Sequence, residues 1–445
     1  MVNNISNLLQ KTFPKFGVNK QREINRLISE ISRIEKISAK HLLAGLKSTD
    51  YEGVKKELLQ KRYPKSYGKA PLDSFYLPKY EIDDSAKADT ATVEFYPKNI
   101  FYQKSAADSA VFNNAEKLFP LSQFTEIYSL KSFKSSAIKD FNNRCDNLFI
   151  VEEKYDFFKK CPCTSGVVNC GYSIMNIGMG CPYECSYCFL QGYQNISGMV
   201  LPSNINEYLS DEKLISHKSG VFDIKRIGSG EFTDSLVFDH ITGFSKDIIK
   251  FFKNRKEIFF EFKTKSINIK NLLETGGEQN LVAAWSVNSV KMCVENEFKT
   301  PSLKERLKAA AECAKAGFST AFHFDPIIYY DGWRQDYKEA VDMIFDIVSN
   351  DSIKWISLGT LRMPAVQKQV MENRFPDSAI LDGELLLGQD YKLRYSRAQR
   401  IEMYKHLLTV INSKKTKAVV YLCMEDAKVW EPVIPLSTFH SSLCR

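Results

Sequence analysis

Three closely spaced cysteines are the feature of this sequence that points most directly to chemistry. Cys181, Cys185 and Cys188 lie in the stretch GMGCPYECSYCFLQGYQN with the spacing CxxxCxxC. A structural zinc ion takes four protein ligands, and the fourth would have to come from the upstream stretch KKCPCTSGVVNCGY. A cubane iron–sulfur cluster is normally held by four thiolates, and three would leave one iron open to a small ligand. The spacing alone therefore leaves both a zinc site and an iron–sulfur site open.

The composition indicates in which redox state these thiols are held. Of the 445 residues 44% are hydrophobic and 26% charged, which is typical of a water-soluble globular protein. We find no apolar run long enough to cross a bilayer, and the start of the chain lacks the layout of a secretory signal. We therefore predict a cytoplasmic protein with no membrane partner and with reduced cysteines. Cys161, Cys163 and Cys170 could then hold a second metal, cap a cluster or be structural thiols.

The positive charge of the chain is concentrated at its beginning. Residues 1–69 contain fifteen Lys or Arg and six Asp or Glu, and their apolar residues recur with helical periodicity. Ser38 and Asp50 are predicted to cap two short helices there. We predict a basic helical region over 1–69, a connecting region over 70–165 and an α/β region with a C-terminal extension over 166–445. The basic region could bind a phosphate backbone, and a protein-docking or solvated appendage explains its charge equally well.

From about residue 166 onward, extended and helical patterns alternate. Six apolar stretches rich in β-branched and aromatic residues read as strands, each followed by a helical pattern: YSIMNIG, FDIKRIGSG, IFFEFKTK, LVAAWSVN, STAFHFDPII and IKWISLGTL. Six such units predict a parallel sheet with outer helices, as a partial barrel or an open doubly wound sheet. In both folds the loops after the strands carry the chemistry. The three cysteines, the stretch GSGE, Lys265, and the pair Ser286 and Asn288 follow the first four strands in turn.

The cysteine motif, with an aromatic residue before its third cysteine, resembles the radical S-adenosylmethionine (SAM) superfamily. The resemblance implies a partial (βα)6 barrel of the TIM type. It implies that the three thiolates hold a [4Fe–4S] cluster whose open iron binds SAM, and that a 5′-deoxyadenosyl radical is released from SAM. The stretch GSGE resembles the Gly-Gly-Glu element of that superfamily, so Ser229, Gly230 and Glu231 are expected near the SAM amino group.

Over about residues 94–430 the sequence resembles more specifically the spore photoproduct lyase-like family. The stretches that carry this resemblance are CSYCFLQ, TDSLVFDHIT, FKTK, WSVN, TPSLKERLKAAAECAKAGF, PIIYYDGW and SLGTLR. It implies that Lys265, Ser286 and Asn288 bind SAM, with Tyr187 near the adenine. It also implies cleavage of the methylene bridge between two thymines in DNA. Nucleic acid is then the expected partner, and a flavodoxin or ferredoxin the expected electron donor.

Two departures from the family pattern concern the return of a hydrogen atom. The family has tyrosines on both sides of the third cluster cysteine, but here Tyr187 is followed, after that cysteine, by Phe189. The stretch GSGEFTDS also lacks the cysteine that the family has in this loop. We predict Tyr187 and Cys423 as catalytic residues, with Cys423 replacing the missing thiol; a buried strand cysteine is the structural alternative.

Candidate substrate residues follow the fifth and sixth predicted strands. Tyr329, Tyr330 and Trp333 could stack on an extruded base, and core packing is the competing interpretation. Arg362 could face a phosphate or the SAM carboxylate, or form an ordinary surface ion pair.

The sequence thus predicts a radical SAM enzyme that acts on a pyrimidine in DNA. A first alternative is radical SAM modification of another nucleobase or of a small molecule. A second, of another class, is a zinc-stabilised nucleic-acid-binding protein without catalysis.

Overall fold

The chain divides into two compact units. The computed structural model describes residues 2–77, 83–92, 94–135, 138–153, 157–209 and 225–436. The N-terminal unit comprises Met1–Asp84 and Arg362–Gln399, and the barrel unit comprises Ser85–Leu361 and Arg400–Arg445. Among the described helices, none has the length and apolar character needed to cross a membrane.

Seven parallel strands form the main sheet of the barrel unit. They are β1 (Tyr172–Met175), β2 (Lys225–Ser229), β3 (Ile258–Thr264), β4 (Leu281–Ser286), β5 (Ser319–Ile327), β6 (Ile353–Thr360) and β7 (Val419–Leu422). Their order in the sheet follows the chain, and the strand Phe158–Lys160 lies antiparallel beside β1. The six predicted strands are confirmed, although the second was predicted from residue 222 and its first three residues lie outside the described residues. The seventh strand was not among those predicted.

The main sheet is curled, so that residues of its first and last parallel strands contact the same arginine side chain. Arg226 on β2 lies 5.3 Å from the ring centroid of Tyr172 on β1 and 4.9 Å from that of Tyr421 on β7. It also donates a hydrogen bond of 3.0 Å to the Tyr421 hydroxyl. Because β2 and β7 are far apart in the strand order, this contact requires a closed-up sheet. The predicted partial barrel is therefore confirmed, and the open doubly wound sheet is not what forms.

The interior of this barrel is polar and ionic. The Glu261 carboxylate on β3 accepts hydrogen bonds from the Tyr172 hydroxyl at 3.1 Å and the Trp355 indole at 2.6 Å. His323 on β5 approaches it at 3.0 Å, and Arg226 at 3.6 Å. Burial would raise the pKa of Glu261, but His323 and Arg226 outweigh that effect and hold the pKa at about 2. The barrel is thus filled by a charge-balanced network rather than by an open channel.

Helices and a second sheet surround the main sheet. The helices are Ala110–Leu118, Ile138–Asn142, Leu190–Tyr193, Ile205–Leu209, Asp239–Thr242, Phe244–Phe252, Lys270–Thr275, Val290–Asn296, Leu303–Lys315, Trp333–Ile347, Arg397–Ser413 and Ala427–Trp430. The second sheet is parallel, in the order Gln123–Glu126, Asn99–Tyr102, Asn147–Val151 and Met199–Pro202. A two-stranded antiparallel pair, Glu184–Cys185 with Glu297–Phe298, completes the strands of this unit.

The N-terminal unit is built from helices and a small antiparallel sheet. Its helices are Val2–Thr12, Val18–Glu35, Ala39–Ala44, Tyr51–Arg62 and Ala365–Arg374, and its strands are Arg362–Pro364, Leu385–Leu387 and Lys392–Tyr395. The side chains of Ser38 and Asp50 accept hydrogen bonds from backbone amides three residues on, so both predicted caps are confirmed.

The division of the chain differs from the predicted one. Residues 362–399 pack with the N-terminal helices, whereas the sequence analysis counted them with the barrel region. Arg62 donates to the Gly383 carbonyl at 3.0 Å, and the Glu384 carboxylate accepts from the backbone amides of Lys65 and Ser66. These partners are separated by some three hundred residues of sequence, so no local pattern could reveal them.

A buried ionic cluster holds the two parts of the N-terminal unit together. Glu30 pairs with Arg62 at 2.6 Å and also with Lys368, while Glu372 pairs with Arg26 at 2.7 Å and with Lys368 at 2.9 Å. Burial would raise the pKa of Glu30, but the charges of Lys368, Arg62 and Arg26 hold that pKa well below its ordinary value. Glu30 is therefore ionised and balances cations from both segments.

We predict that Glu30→Gln destabilises the N-terminal unit by about 3–5 kcal/mol, because it leaves buried cations without their counter-charge. Urea unfolding followed by circular dichroism measures the change. Glu274→Gln is the control, since Glu274 pairs with Lys246 on the surface, and it should leave the unfolding midpoint unchanged. Equal midpoints for the two variants would contradict this account of the cluster.

Candidate active site

The loop with the three cysteines meets the loop after β3 at the carboxyl end of the sheet. The Nζ atom of Lys265, directly after β3, lies 3.4 Å from the Sγ atom of Cys185 and 2.9 Å from the Tyr187 hydroxyl. The same ammonium group stands 4.8 Å from the centroid of the Tyr187 ring. Two residues that the sequence predicts at one site, 78 and 80 positions from Lys265, are thus in direct contact with it.

A buried acid and a buried arginine extend this contact. Glu297 accepts a hydrogen bond from the Tyr187 hydroxyl, lies 3.6 Å from the Lys265 Nζ atom and pairs with Arg306 at 2.6 Å. Burial would raise the pKa of Glu297, but Arg306 and Lys265 outweigh it and hold that pKa at about 2. Glu297 carries no signal in the sequence, because its place in the site becomes visible only when its short strand pairs with the strand that contains Cys185.

Arg144 fixes the path of the cysteine loop, which we define as residues 178–191. Its guanidinium donates to the carbonyls of Cys181 at 2.9 Å and Tyr183 at 2.7 Å, and to the Glu184 carboxylate at 2.6 Å. Arg144 is only 1% exposed, so these bonds are shielded from water. It was also missed, since a lone arginine in the connecting region carries no sequence signal.

Gln191 closes the other end of the cysteine loop. Its side-chain amide donates to the carbonyls of Cys185, Ser186 and Cys188, at 3.1, 2.9 and 3.0 Å. Gln191 and Arg144 thus donate hydrogen bonds to backbone carbonyls of the loop that do not pair in a helix or a sheet. The loop is consequently held in one shape by side chains from both of its flanks.

The three thiols of the loop are in surroundings that disfavour a bare thiolate. Cys185 is buried and Cys181 and Cys188 are partly buried. Burial raises the pKa of all three, that of Cys185 to about 12, and each of Cys185 and Cys188 raises the pKa of Cys181 further. A bound cation is what would convert such thiols to thiolates, so the donor set fits a metal group.

The three thiols are also compatible with a cluster. Within the described ranges, no three His, Cys, Asp or Glu side chains are grouped as ligands of one metal ion. A cubane distributes its cysteine ligands over different irons, so it does not require three sulfurs around one point. The donor set of Cys181, Cys185 and Cys188 therefore fits an iron–sulfur cluster.

The stretch after β2 reaches the cysteine loop through its backbone. The amide of Gly180 donates to the Phe232 carbonyl at 2.8 Å. Gly230 has a φ of +95°, and a Cβ atom there would lie 2.6 Å from the Lys263 carbonyl oxygen, so only glycine fits. Ser229 is buried with its hydroxyl 2.8 Å from that of Ser235. The stretch that follows Gly230 is thus bonded to the backbone directly before Cys181, and the contact of Ser229 and Gly230 with SAM stays a prediction.

Three other predicted cofactor residues are held by protein partners. Glu231 pairs with Lys159 at 2.9 Å. Ser286 contributes its carbonyl, which accepts from Arg306 at 3.1 Å. Asn288 is 1% exposed, and its side chain bonds with the Pro326 carbonyl, the Ser289 amide and the Tyr337 hydroxyl. Asn288 thus positions the loop after β4 instead of facing its opening.

Partly buried Asp234 is a further residue of the site without a recognisable signal in the sequence. Its carboxylate accepts from the Lys265 amide at 2.6 Å and from the Thr264 hydroxyl at 2.5 Å. It also accepts from the amides of Leu236 and Val237. Asp234 therefore joins the loops after β2 and β3 and fixes the backbone from which Lys265 projects.

The predicted substrate residues differ in their surroundings. Trp333 is 2% exposed and packs on His406 with a centroid distance of 5.1 Å, so its predicted stacking on a base is corrected to core packing. Tyr330 is half-buried, with its hydroxyl bonded to Ser289 and Asp336, and Tyr329 is half-buried beside Trp333. Arg362 belongs to the N-terminal unit, because the chain leaves the barrel unit at Leu361.

Cys423 lies directly after β7, and its amide donates to the Leu358 carbonyl at 2.8 Å. Its side chain is only partly buried. This position at a strand end differs from that of a fully buried core cysteine. Its catalytic role stays a prediction.

Comparison with known proteins assigns the family. The family model for spore photoproduct lyase matches residues 165–421. The chain belongs to the spore photoproduct lyase family. The spore photoproduct lyase of Clostridium acetobutylicum is 25% identical over 182 residues, which cover 40% of this chain and 52% of the relative. That of Bacillus subtilis is 25% identical over 213 residues, 46% of this chain and 61% of the relative. The chain thus spans a little over half the length of the curated relatives it matches.

Solved structures of the same family share the fold. A spore photoproduct lyase complexed with dinucleoside spore photoproduct has a TM-score of 0.62 at 20% identity and covers 74% of this chain and 100% of its own. A double mutant of spore photoproduct lyase with bound AdoMet and dinucleoside spore photoproduct has a TM-score of 0.61 at 21% identity, with the same coverage. The barrel is therefore the barrel of this enzyme family.

We predict that Arg144→Lys lowers the iron and sulfide content of the reconstituted protein several-fold. Lysine keeps the charge beside Glu184, but it cannot reach two carbonyls and a carboxylate at once. Elemental analysis after anaerobic reconstitution measures the loss. The control is Arg255→Lys, because Arg255 stacks on Phe251 away from the cysteine loop. Full iron loading of Arg144→Lys would show that the loop does not need this guanidinium.

Proposed function

We propose that this protein is a radical SAM enzyme that reverses a pyrimidine lesion in DNA. The observation that carries the proposal is the meeting of the three-thiol loop with Lys265 at the carboxyl edge of the barrel, in a chain of this family. Cys181, Cys185 and Cys188 would hold a [4Fe–4S] cluster, and Ser229, Gly230 and Lys265 would contact SAM. Together these cofactors supply a 5′-deoxyadenosyl radical when both are bound.

The residues of this chain orient the groups of the site and balance the buried charges there. Lys265 brings a cation to Cys185, and Glu297 with Arg306 keeps Lys265 and Tyr187 in place. Burial raises the pKa of Tyr187 well above its ordinary value, so its hydroxyl keeps the proton that it donates to Glu297. Tyr187 is therefore a neutral hydrogen-bond donor beside the cluster ligands rather than a phenolate.

The proposed substrate and partners extend beyond this geometry. Solved relatives are described with dinucleoside spore photoproduct, which supports a dithymine lesion as the substrate class. DNA is then the partner, and the basic residues of the region 1–69 would neutralise its phosphates. A flavodoxin or ferredoxin would supply the electron. Ser286 and Glu231 remain candidates for SAM contacts, and Tyr329 and Tyr330 for substrate contacts.

One observation favours a second candidate function, the radical modification of another nucleobase. The loop after β2 contains no cysteine, and Phe189, which lacks a hydroxyl, is 45% exposed where the family has a tyrosine. Phe189 has the rings of Tyr193 and Phe232 as neighbours, at 6.2 and 6.4 Å. The hydrogen atom must then come from elsewhere, with Cys423 as the candidate, or the reaction ends differently.

We predict that the reconstituted protein converts a spore-photoproduct dinucleotide to the two unlinked thymidines of the parent dinucleotide, given SAM and a reductant. Chromatography of the nucleotide and of 5′-deoxyadenosine measures this. Replacing Cys181, Cys185 and Cys188 together by alanine should abolish both products, because no cluster then forms. Cys313→Ala, in the helix Leu303–Lys315, should retain them.

The two candidate functions give different results in this assay. Release of 5′-deoxyadenosine without repair of the dinucleotide would contradict lesion reversal and favour modification of another base. If neither product forms with a fully loaded cluster, both proposals fail.

A further inference from the structure

The pair Cys161 and Cys163 has no role in the site described above. It follows the strand Phe158–Lys160, and the residue between the two cysteines is Pro162. The amide of Cys163 donates to the Cys161 carbonyl at 2.7 Å, which is the hydrogen bond of an inverse γ-turn. Proline has a fixed φ close to the value that this turn needs, so the sequence CPC itself bends the chain here.

The turn brings the two sulfur atoms together. The Sγ atoms of Cys161 and Cys163 are 3.7 Å apart, and both side chains are partly exposed. A disulfide bond needs a sulfur–sulfur separation of about 2 Å, so rotation of the two side chains must bring the sulfur atoms closer to form one.

One member of the pair faces the inside of the barrel. The register Lys159 with Ile174 and Lys160 with Ser173 continues to Cys161, whose amide donates to the Tyr172 carbonyl at 3.0 Å. Residues directly opposite each other in an antiparallel pair project to the same face of the sheet. Tyr172 reaches Glu261 in the barrel interior, so Cys161 projects to that side as well.

Two more thiols adjoin the first and last parallel strands. Cys170 comes shortly before β1, and Cys423 comes directly after β7. The amide of Val168 donates to the Glu425 carbonyl at 2.9 Å, so the segment after the pair reaches the chain that follows β7. The two end strands of the main sheet, Phe158–Lys160 and β7, do not pair with each other within the described residues. The cysteine pair directly follows the first of these two end strands.

We propose that Cys161 and Cys163 are a redox-active dithiol that exchanges with a low-molecular-weight disulfide. The thiolate of one cysteine attacks a sulfur of the small disulfide and releases its first thiolate, which takes up a proton. The second cysteine then attacks the mixed disulfide, loses its own proton and releases the second small thiol. Two protein thiols are oxidised to one disulfide, and the small disulfide is reduced to two thiols.

The exchange is reversible because of the size of the ring that it closes. A disulfide across a single intervening residue makes a small, strained ring, and strained disulfides are reduced more readily than structural ones. Both side chains are partly exposed, so a small disulfide or thiol can reach the pair. The hydrogen bond with Cys163 and burial raise the pKa of Cys161, so the exchange is expected to be slow at neutral pH and to become faster as the pH rises. A purely structural disulfide would need neither a strained ring nor exposure to small thiols.

The test uses the full chain with its cluster loaded, under nitrogen, in glutathione buffers of increasing oxidised fraction. Alkylation and peptide mass analysis then report the state of each cysteine. We expect Cys161 and Cys163 to lose both free thiols together, without gain of glutathione, and to recover them in reduced glutathione. In Cys161→Ser or Cys163→Ser, the remaining thiol of the pair should carry glutathione.

Cys170→Ser and Cys423→Ser are the matched controls, and both should leave the Cys161–Cys163 disulfide unchanged. A disulfide from Cys161 to Cys423 or Cys170 in the unaltered chain would overturn the assignment of the pair. Stable glutathione adducts on both cysteines of the unaltered chain would overturn it as well. So would thiols that neither alkylate nor oxidise, since these would be bound to a metal.

Discussion

The contact of the Lys265 ammonium group with Cys185 and Tyr187 is the interaction on which the rest of the site depends. It joins the loop after the first barrel strand to the loop after the third, and no backbone ladder connects those loops. Glu297, which pairs with Arg306, holds the Lys265 ammonium group in place. Asp234 accepts a hydrogen bond from the Lys265 amide and holds its backbone. A cation directed at a cysteine sulfur is also what an anionic sulfur centre requires.

The protein repeatedly places charged groups in its interior, and each time it balances them. Arg144 with Glu184 supports the cysteine loop, Arg226 with Glu261 fills the barrel, and Glu30 stands among cations in the N-terminal unit. Burying a charge costs on the order of several kcal/mol unless an oppositely charged partner and hydrogen bonds compensate for the lost hydration. Such pairs gain little net stability over apolar packing, but they fix side chains in one geometry, which a catalytic edge needs.

The sequence predicted the barrel well because its signals are local. Each strand is a short apolar stretch between helical patterns, and parallel strands place the residues after them at one edge. Cys185, Tyr187 and Lys265 were therefore predicted at one site, and they are in contact. Glu297 and Arg144 were missed because their importance depends on pairing between distant segments. The affiliation of residues 362–399 was misjudged for the same reason.

The remaining discrepancies concern side-chain direction rather than position. Trp333 follows the fifth strand as predicted, but it packs inward on His406. Asn288 follows the fourth strand, but its amide is used by Pro326, Ser289 and Tyr337. A sequence pattern places a residue on a loop, and only the packing around that loop decides whether its side chain turns inward.

Electron paramagnetic resonance of the reconstituted, reduced protein, with and without SAM, tests the central claim most directly. If the three thiols beside Lys265 hold a cluster with one open iron, the protein gives one reduced-cluster signal per chain, and SAM shifts its g values. A signal that SAM leaves unchanged, or the absence of any signal in protein with intact cysteines, would contradict the account.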